Sequence, residues 1–145
     1  WRTMKIILDT NVISELIQPR GSSVIREWLA SQNGASLYTT SITQAEILYG
    51  IQILPEGQRR QKLLDGALII FEDYLAERIL AFDQKAAELY SQIAAYRKQI
   101  GRPISQFDAQ IAAICRLHQA TLATRNIRDF LDCGIDLVNP WEAKR

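Results

Sequence analysis

Four acidic residues stand where a carboxylate does more than solubilise the chain. Asp9 closes the aliphatic run in KIILDTNVIS, Glu46 sits in TTSITQAEILYG, Asp108 in ISQFDAQIAAI and Asp129 in ATRNIRDF. A neutral turn residue closes a buried strand at lower electrostatic cost than Asp9. An acid at that point either caps the next helix or belongs to a site that needs negative charge. Each acid alone has an ordinary explanation. Asp9 is a cap candidate, and Glu46 completes a T-x-x-E capping box with Thr43. Asp108 suits the positive end of a helix, and Asp129 suits a loop. Their joint placement is what carries chemistry, and that depends on the elements that present them.

Lys5 to Leu8 reads as a short buried strand. Thr10 or Asn11 can cap a helix toward Leu16 that ends before Pro19. A second helix spans Ser23 to Ser31, and Asn33-Gly34 signals a turn. Leu37 to Thr40 favours strand. Ser41 or Thr43 then caps a third helix through Ile53, broken at Pro55. Glu56 to Gly66 is polar and helical, and Ala67 to Tyr74 leans helical. Arg78 to Phe82 is a third strand, after which Asp83 caps a long helix from Gln84 to Ile100. Gly101 and Pro103 punctuate. The helix from Ser105 to Gln119 is apolar around most of its surface, which marks it as buried. Thr121 to Ala123 is a fourth strand, and Ile135 to Val138 a candidate fifth.

Strands alternating with helices imply a three-layer α/β fold, a parallel sheet of four to five strands covered on both faces. In such folds the site lies beyond the C-terminal ends of the strands. Asp9, Glu46, Asp108 and Asp129 all fall at or just past such ends, so four chain segments would bring four acids to one sheet edge. Carboxylates a few ångströms apart raise one another's pKa, and burial raises them further. Apart from Lys5 at the far end of its strand, these motifs contain no lysine or histidine to compensate. A hard divalent cation, Mg²⁺ or Mn²⁺, is the cheapest compensation, since it prefers oxygen ligands and keeps several waters. A cation so held can lower the pKa of a bound water and neutralise charge on a phosphate, the requirements of phosphodiester hydrolysis. Thr10, Asn11, Thr124 and Asn126 place neutral hydrogen-bonding groups beside the acids. Arg125 and Arg128 flank Asp129 and can bind a phosphate.

Bulk composition narrows the alternatives. The 145 residues fit one domain, and an apolar fraction of 48% supports a proper core. A net charge of +1 gives no global signature of nucleic-acid binding, although a local patch suffices for that. Cys115 and Cys133 are too few for a disulfide framework, so a reducing, cytoplasmic setting is expected. With His118 the single histidine, zinc chemistry built on histidines is disfavoured. No apolar run approaches the roughly 18 residues of a membrane span. Met4 reads as the natural start, with Trp1 to Thr3 contributed by a vector or an upstream start codon. The domain is placed at 4–141, with 142–145 as a tail. Trp28, Tyr90 and Tyr96 read as core or interface residues, and Arg59, Arg60 and Lys62 as a solvated helix face.

Taken in order, LDTNVIS, AEILYG, FDAQIAAI, TRNIRDF and GIDLVNPW resemble a bacterial PIN-domain toxin of the VapC type, close to the FitB subgroup. The resemblance runs from about Met4 to Trp141. It implies a PIN-like fold and a Mg²⁺- or Mn²⁺-dependent ribonuclease that leaves a 5′ phosphate and a 3′ hydroxyl. Asp9, Glu46 and Asp108 match the first three family acids, and Asp129 the fourth, more variable one. Asn11 matches the asparagine after the first acid. Thr124 and Asn126 match the polar residues of the TRN motif, with Asn126 orienting the site. The resemblance also implies a homodimer and a cognate antitoxin of ribbon-helix-helix type that binds promoter DNA. The antitoxin's tail would enter the acidic groove, an arginine against the carboxylates being the physical logic.

Two other classes compete. A receiver-like phosphoacceptor domain also sets acids beside Mg²⁺, but it needs adjacent acids after the first strand and a lysine after a late one. Here Asp9 has no acidic neighbour, and the late segment reads LATRN. A catalytically silent RNA- or protein-binding domain of the same fold has no use for clustered negative charge near a polyanion.

Overall fold

The computed structural model describes residues 4–32 and 36–142; the turn expected at Asn33-Gly34 lies outside them. Among the described residues, five strands form one parallel sheet: β1 (Lys5–Leu8), β2 (Ser36–Thr40), β3 (Ile79–Leu80), β4 (Thr121–Ala123) and β5 (Asp136–Val138). Their order across the sheet is β3-β2-β1-β4-β5. The chain winds outward from β1 through β2 to β3, then returns to the other side of β1 as β4. The strand order therefore reverses between β1 and β4, and a crevice opens at their C-terminal ends.

Among the described residues, six α-helices cover the sheet: α1 (Thr10–Ile17), α2 (Ser23–Ala30), α3 (Ser41–Gln52), α4 (Gln58–Leu68), α5 (Gln84–Gln99) and α6 (Gln106–Leu117). Alternation along β1 sorts them into two layers. Ile6 and Leu8 face a core built with Val12, Ile13, Ile25, Trp28, Ile51 and Phe71, from the α1–α4 side. Ile7 faces the opposite core, with Ile93 of α5 and Ile111 to Cys115 of α6. A strand buried on both faces needs an unbroken apolar run, which is why KIIL does not alternate with polar residues. α6 buries Ala109 and every residue from Ile111 to Cys115, matching its all-round apolar sequence.

Several element boundaries differ from the expected ones for local reasons. The residue at the capping position of α1 is Asp9, not Thr10 or Asn11, and its side chain makes no capping bond. α3 is capped by Thr40 rather than Ser41 or Thr43: the Thr43 N–H donates to Thr40 Oγ1 at 3.0 Å. β3 is two residues long because the Phe82 N–H turns away to Ser41 Oγ at 3.3 Å. α4 starts at Gln58, after Gly57 with φ of 151°, a conformation L side chains rarely adopt. The helix expected from Ala67 continues as a π-helical turn (Ile69–Tyr74), which keeps Ala67, Phe71 and Leu75 buried. Asp83 and Ser105 cap α5 and α6 through bonds to the Ala86 and Asp108 N–H groups. Trp28 is core and Tyr90 packs edge-on against Phe82, whereas Tyr96 is half exposed.

With Thr40 as cap and Glu46 outside any capping box, substitutions at the two residues separate. Thr40→Ala should cost about 1 kcal/mol in urea unfolding. Glu46→Gln should leave stability equal or higher. A Glu46→Gln loss matching that of Thr40→Ala would restore the capping-box role.

Candidate active site

Asp9 leaves the end of β1 and is 5% exposed. Its N–H extends the ladder by donating to the Ala123 carbonyl at 3.0 Å. Its carboxylate accepts a 2.7 Å hydrogen bond from the buried Thr124 hydroxyl, just past β4. Both contacts cross the seam where the strand order reverses. Thr124 Oγ1 also accepts from the Asn126 N–H at 3.0 Å and from Asn11 Nδ2 at 3.4 Å. Asn11 Oδ1 in turn accepts from the Arg125 N–H at 3.2 Å. One hydroxyl therefore ties the start of α1 and the loop after β4 to the carboxylate.

Glu46 approaches from α3. Thr10 Oγ1 donates to Glu46 Oε1 at 3.0 Å and lies 3.1 Å from Thr43 Oγ1. Thr43 thus reaches Glu46 through Thr10, and the side-chain contact runs between helices rather than within a capping box. Asp108 enters from the first turn of α6, where Ser105 Oγ accepts from its N–H. Asp9, Glu46 and Asp108 line one cavity of about 520 Å³ together with Asn11, Glu15, Arg125, Asn126 and Trp141. Asp129 stands apart: it is exposed on a 3-10 turn (Ile127–Phe130) and does not line the cavity. It lies near enough to Asp108 to help raise that residue's pKa. Arg128 is likewise exposed on this turn.

Burial pushes the Asp9 carboxyl up from 3.8 to about 6, against the opposing bonds from Thr124 and the Thr10 N–H. Asp108 and Glu46 add to the rise through repulsion. Glu46 and Asp108 are raised too, chiefly by burial. The site therefore has excess negative charge and solely oxygen donors, the chemistry that suits Mg²⁺ or Mn²⁺. Among the described residues, no three acidic side chains stand close enough to form a metal cage unaided. A cation held by one or two carboxylates and several waters fits this spacing, and that is how Mg²⁺ is commonly bound.

The residue that sequence reasoning missed is Arg97. It is 4% exposed near the end of α5. Its Nε–H donates to the Arg102 carbonyl at 2.6 Å, and Nη1 to the Asp129 and Leu131 carbonyls at 3.0 Å each. Nη1 also lies 3.4 Å from Cys133 Sγ. This buried cation fixes the segment that carries Asp129 and also lowers the Asp108 pKa, though less than burial raises it. The available signal was an arginine in an otherwise solvated stretch, YRKQIGRP, which helical periodicity alone does not distinguish.

Comparison with known proteins agrees with this architecture. Residues 6–133 match the PIN domain family model. The chain belongs to the PIN-domain family. It is 38% identical over 140 residues to a protein named VapC ribonuclease Y4jK from Sinorhizobium fredii, covering 94% of this chain and 98% of that one. It is 36% identical over 136 residues to toxin FitB from Neisseria gonorrhoeae, again covering 94% and 98%. Its backbone superposes on a structure of FitAB bound to a DNA fragment with a TM-score of 0.87, at 35% identity and with 97% and 98% of the two chains covered. The five-stranded parallel sheet flanked by helices is thus the PIN fold that the motifs implied. Among the described residues, no helix is long and apolar enough to cross a membrane.

Two expectations follow from the PIN-domain site without metal. The native Asp9 binds its proton more tightly than the unfolded chain does. Its favourable contribution is therefore complete below about pH 4 and is lost as pH rises through about 6. Asp9→Asn should raise stability at pH 7.5 by on the order of 3 kcal/mol, and its decline between pH 4 and 6 should be shallower. Urea unfolding in EDTA at several pH values measures both, and a less stable variant at pH 7.5 would contradict this account. Arg97→Met strands buried carbonyls and should cost on the order of 3 kcal/mol in the same assay; a cost near zero would mean the clamp is dispensable.

Proposed function

We propose that this chain is the ribonuclease toxin of a toxin–antitoxin pair, a metal-dependent endonuclease that hydrolyses RNA phosphodiesters. The observation that carries the reading is the convergence of Asp9, Glu46 and Asp108 in one cavity at the strand-order reversal. The names of its relatives, VapC ribonuclease and toxin FitB, support the same activity. In this reading Asp9, Glu46 and Asp108 hold Mg²⁺ or Mn²⁺ directly or through water, and Asp129 supports the site from its rim. The bound cation would supply an activated water and offset charge on the phosphate. Thr124 and Asn11 keep the Asp9 carboxylate aimed, and Asn126 orients the loop beside it. Arg125 meets the RNA backbone from the rim.

The partner in this reading is an antitoxin of ribbon-helix-helix type, through which the pair reaches promoter DNA. The DNA-bound FitAB structure supports a DNA-binding partner. An apolar groove lined by Ile17, Ile47, Ile51, Leu54 and Leu63 adjoins the acidic cavity and shares Thr10 and Glu46 with it. Such a surface suits a tail with apolar anchors that ends in an arginine. The same reading makes the chain a homodimer, whose interface would cover exposed apolar side chains such as Tyr96, Ile100, Phe107 and Leu131.

Calorimetric titration with Mn²⁺ should give saturable binding that weakens sharply in Asp108→Asn. Asp9→Asn and Asp108→Asn should each lower RNA cleavage by more than about 100-fold, the upper end for a merely supporting residue. Cleavage at the wild-type rate by either variant would overturn the assignment. Metal binding with no cleavage of any RNA would instead favour a silent binding domain.

A further inference from the structure

Among the described residues, those lining the carboxylate cavity include four acids, Asp9, Glu15, Glu46 and Asp108, and a single cation, Arg125. A flexible arginine beside four acids would be expected to pair with one of them, neutralising the charge the site needs. It does not do so: among the described residues no carboxylate lies within ion-pair distance of Arg125. Its guanidinium instead sits over the Trp141 ring, 4.6 Å from the ring centre.

The backbone is held on both sides of this contact. The Arg125 backbone N–H donates to Asn11 Oδ1 at 3.2 Å, and the Trp141 backbone N–H donates to Asn139 Oδ1 at 3.0 Å. Trp141 is half-buried and packs against the core under β1, while also lining the cavity. A guanidinium seated on an aromatic face retains its N–H groups for a bidentate acceptor, and phosphate is the acceptor that matches that fork. The stacking also adds attraction that an acid would have to outcompete.

We propose that Trp141 is a positioning residue that parks Arg125 away from the carboxylates and presents it as the phosphate-binding cation of an RNA subsite beside them. This rests on the ribonuclease reading and extends it to substrate placement. The subsite takes a backbone phosphate next to the scissile one and reads no base. It explains how a cavity dominated by negative charge admits a polyanion: the attractive charge is confined to the rim.

The test uses a fluorescein-labelled 12-nucleotide single-stranded RNA of mixed sequence, with anisotropy read across a salt series. All proteins carry Asp108→Asn, which blocks cleavage and leaves the stacked pair untouched. Against that parent, Trp141→Leu and Arg125→Gln should each weaken binding about tenfold. Each should also reduce the slope of log affinity against log salt by about 0.7. Combining them should add nothing, and Trp141→Phe, which keeps an aromatic face, should bind within about twofold of the parent. Thermal unfolding of each variant checks the fold, and Trp141→Met replaces the leucine variant if that one is unfolded. Parent-level binding by a folded Trp141→Leu or Trp141→Met protein overturns the proposal, as do additive losses. A parent that binds no RNA overturns the ribonuclease reading and the subsite together, whereas the preceding results overturn the subsite alone.

Discussion

The bond from the Thr124 hydroxyl to the Asp9 carboxylate joins the ends of β1 and β4, at the seam where the strand order reverses. A carboxylate at 5% exposure is costly, and one hydroxyl cannot offset it. The hydroxyl does control direction. Donating its single proton to Asp9 leaves its lone pairs for the Asn126 N–H and the Asn11 amide, so one atom orients three segments. The open crevice, the entry of α1 and the course of the loop after β4 all depend on this arrangement. Loss of the Asp9 charge would relax the cost and remove the reason for the geometry.

The neighbouring acids are handled by a different device. Glu46 is reached across helices by Thr10, and Asp108 is placed by the Ser105 cap of α6. In both cases the hydroxyl of a helix-terminal residue meets the carboxylate itself, and Ser105 also accepts from the Asp108 N–H. None of the three acids is neutralised by a nearby lysine or arginine among the described residues. Their protonation is favoured by burial and by one another, so the cavity is tensioned toward accepting positive charge. That tension is stored in the metal-free fold as lost stability, and any cation that enters recovers part of it.

Much of this was legible in sequence because two periodicities dominate the chain. The apolar run Ile6 to Leu8 and the apolar helix around Ile111 to Cys115 announce a strand and a helix buried on all sides, and the parallel sheet follows from their alternation. Asp9 at the end of β1, Glu46 in α3 after β2 and Asp108 at the start of α6, which leads into β4, were legible for the same reason: the topology brings them to one sheet edge, whatever their side chains do. What stayed hidden depends on single hydrogen bonds. Thr40 displaces Ser41 and Thr43 as the cap of α3 because its hydroxyl, the last of β2, reaches the Thr43 N–H. Asp129 shares the sheet edge, yet its 3-10 turn carries it to the surface, outside the cavity lined by the other three. Arg97 looks like one more charge on a solvated helix until the fold delivers the Asp129 and Leu131 carbonyls to it.

Arg97 and Arg125 show how one residue type can serve an acidic site from two distances. Arg97 lies beneath it, buried and bonded to three carbonyls, where its charge steadies the loop while the carboxylates keep theirs. Arg125 lies at the rim, held by an indole face instead of an acid. If either guanidinium moved into the cavity, it would pair with Asp9, Glu46 or Asp108 and close the site to other cations. The carbonyls around Arg97 and the ring beneath Arg125 are therefore as much part of the acidic centre as the acids themselves. They keep the protein's own positive charge out of the space that a metal ion, or an arginine from another chain, would need to enter.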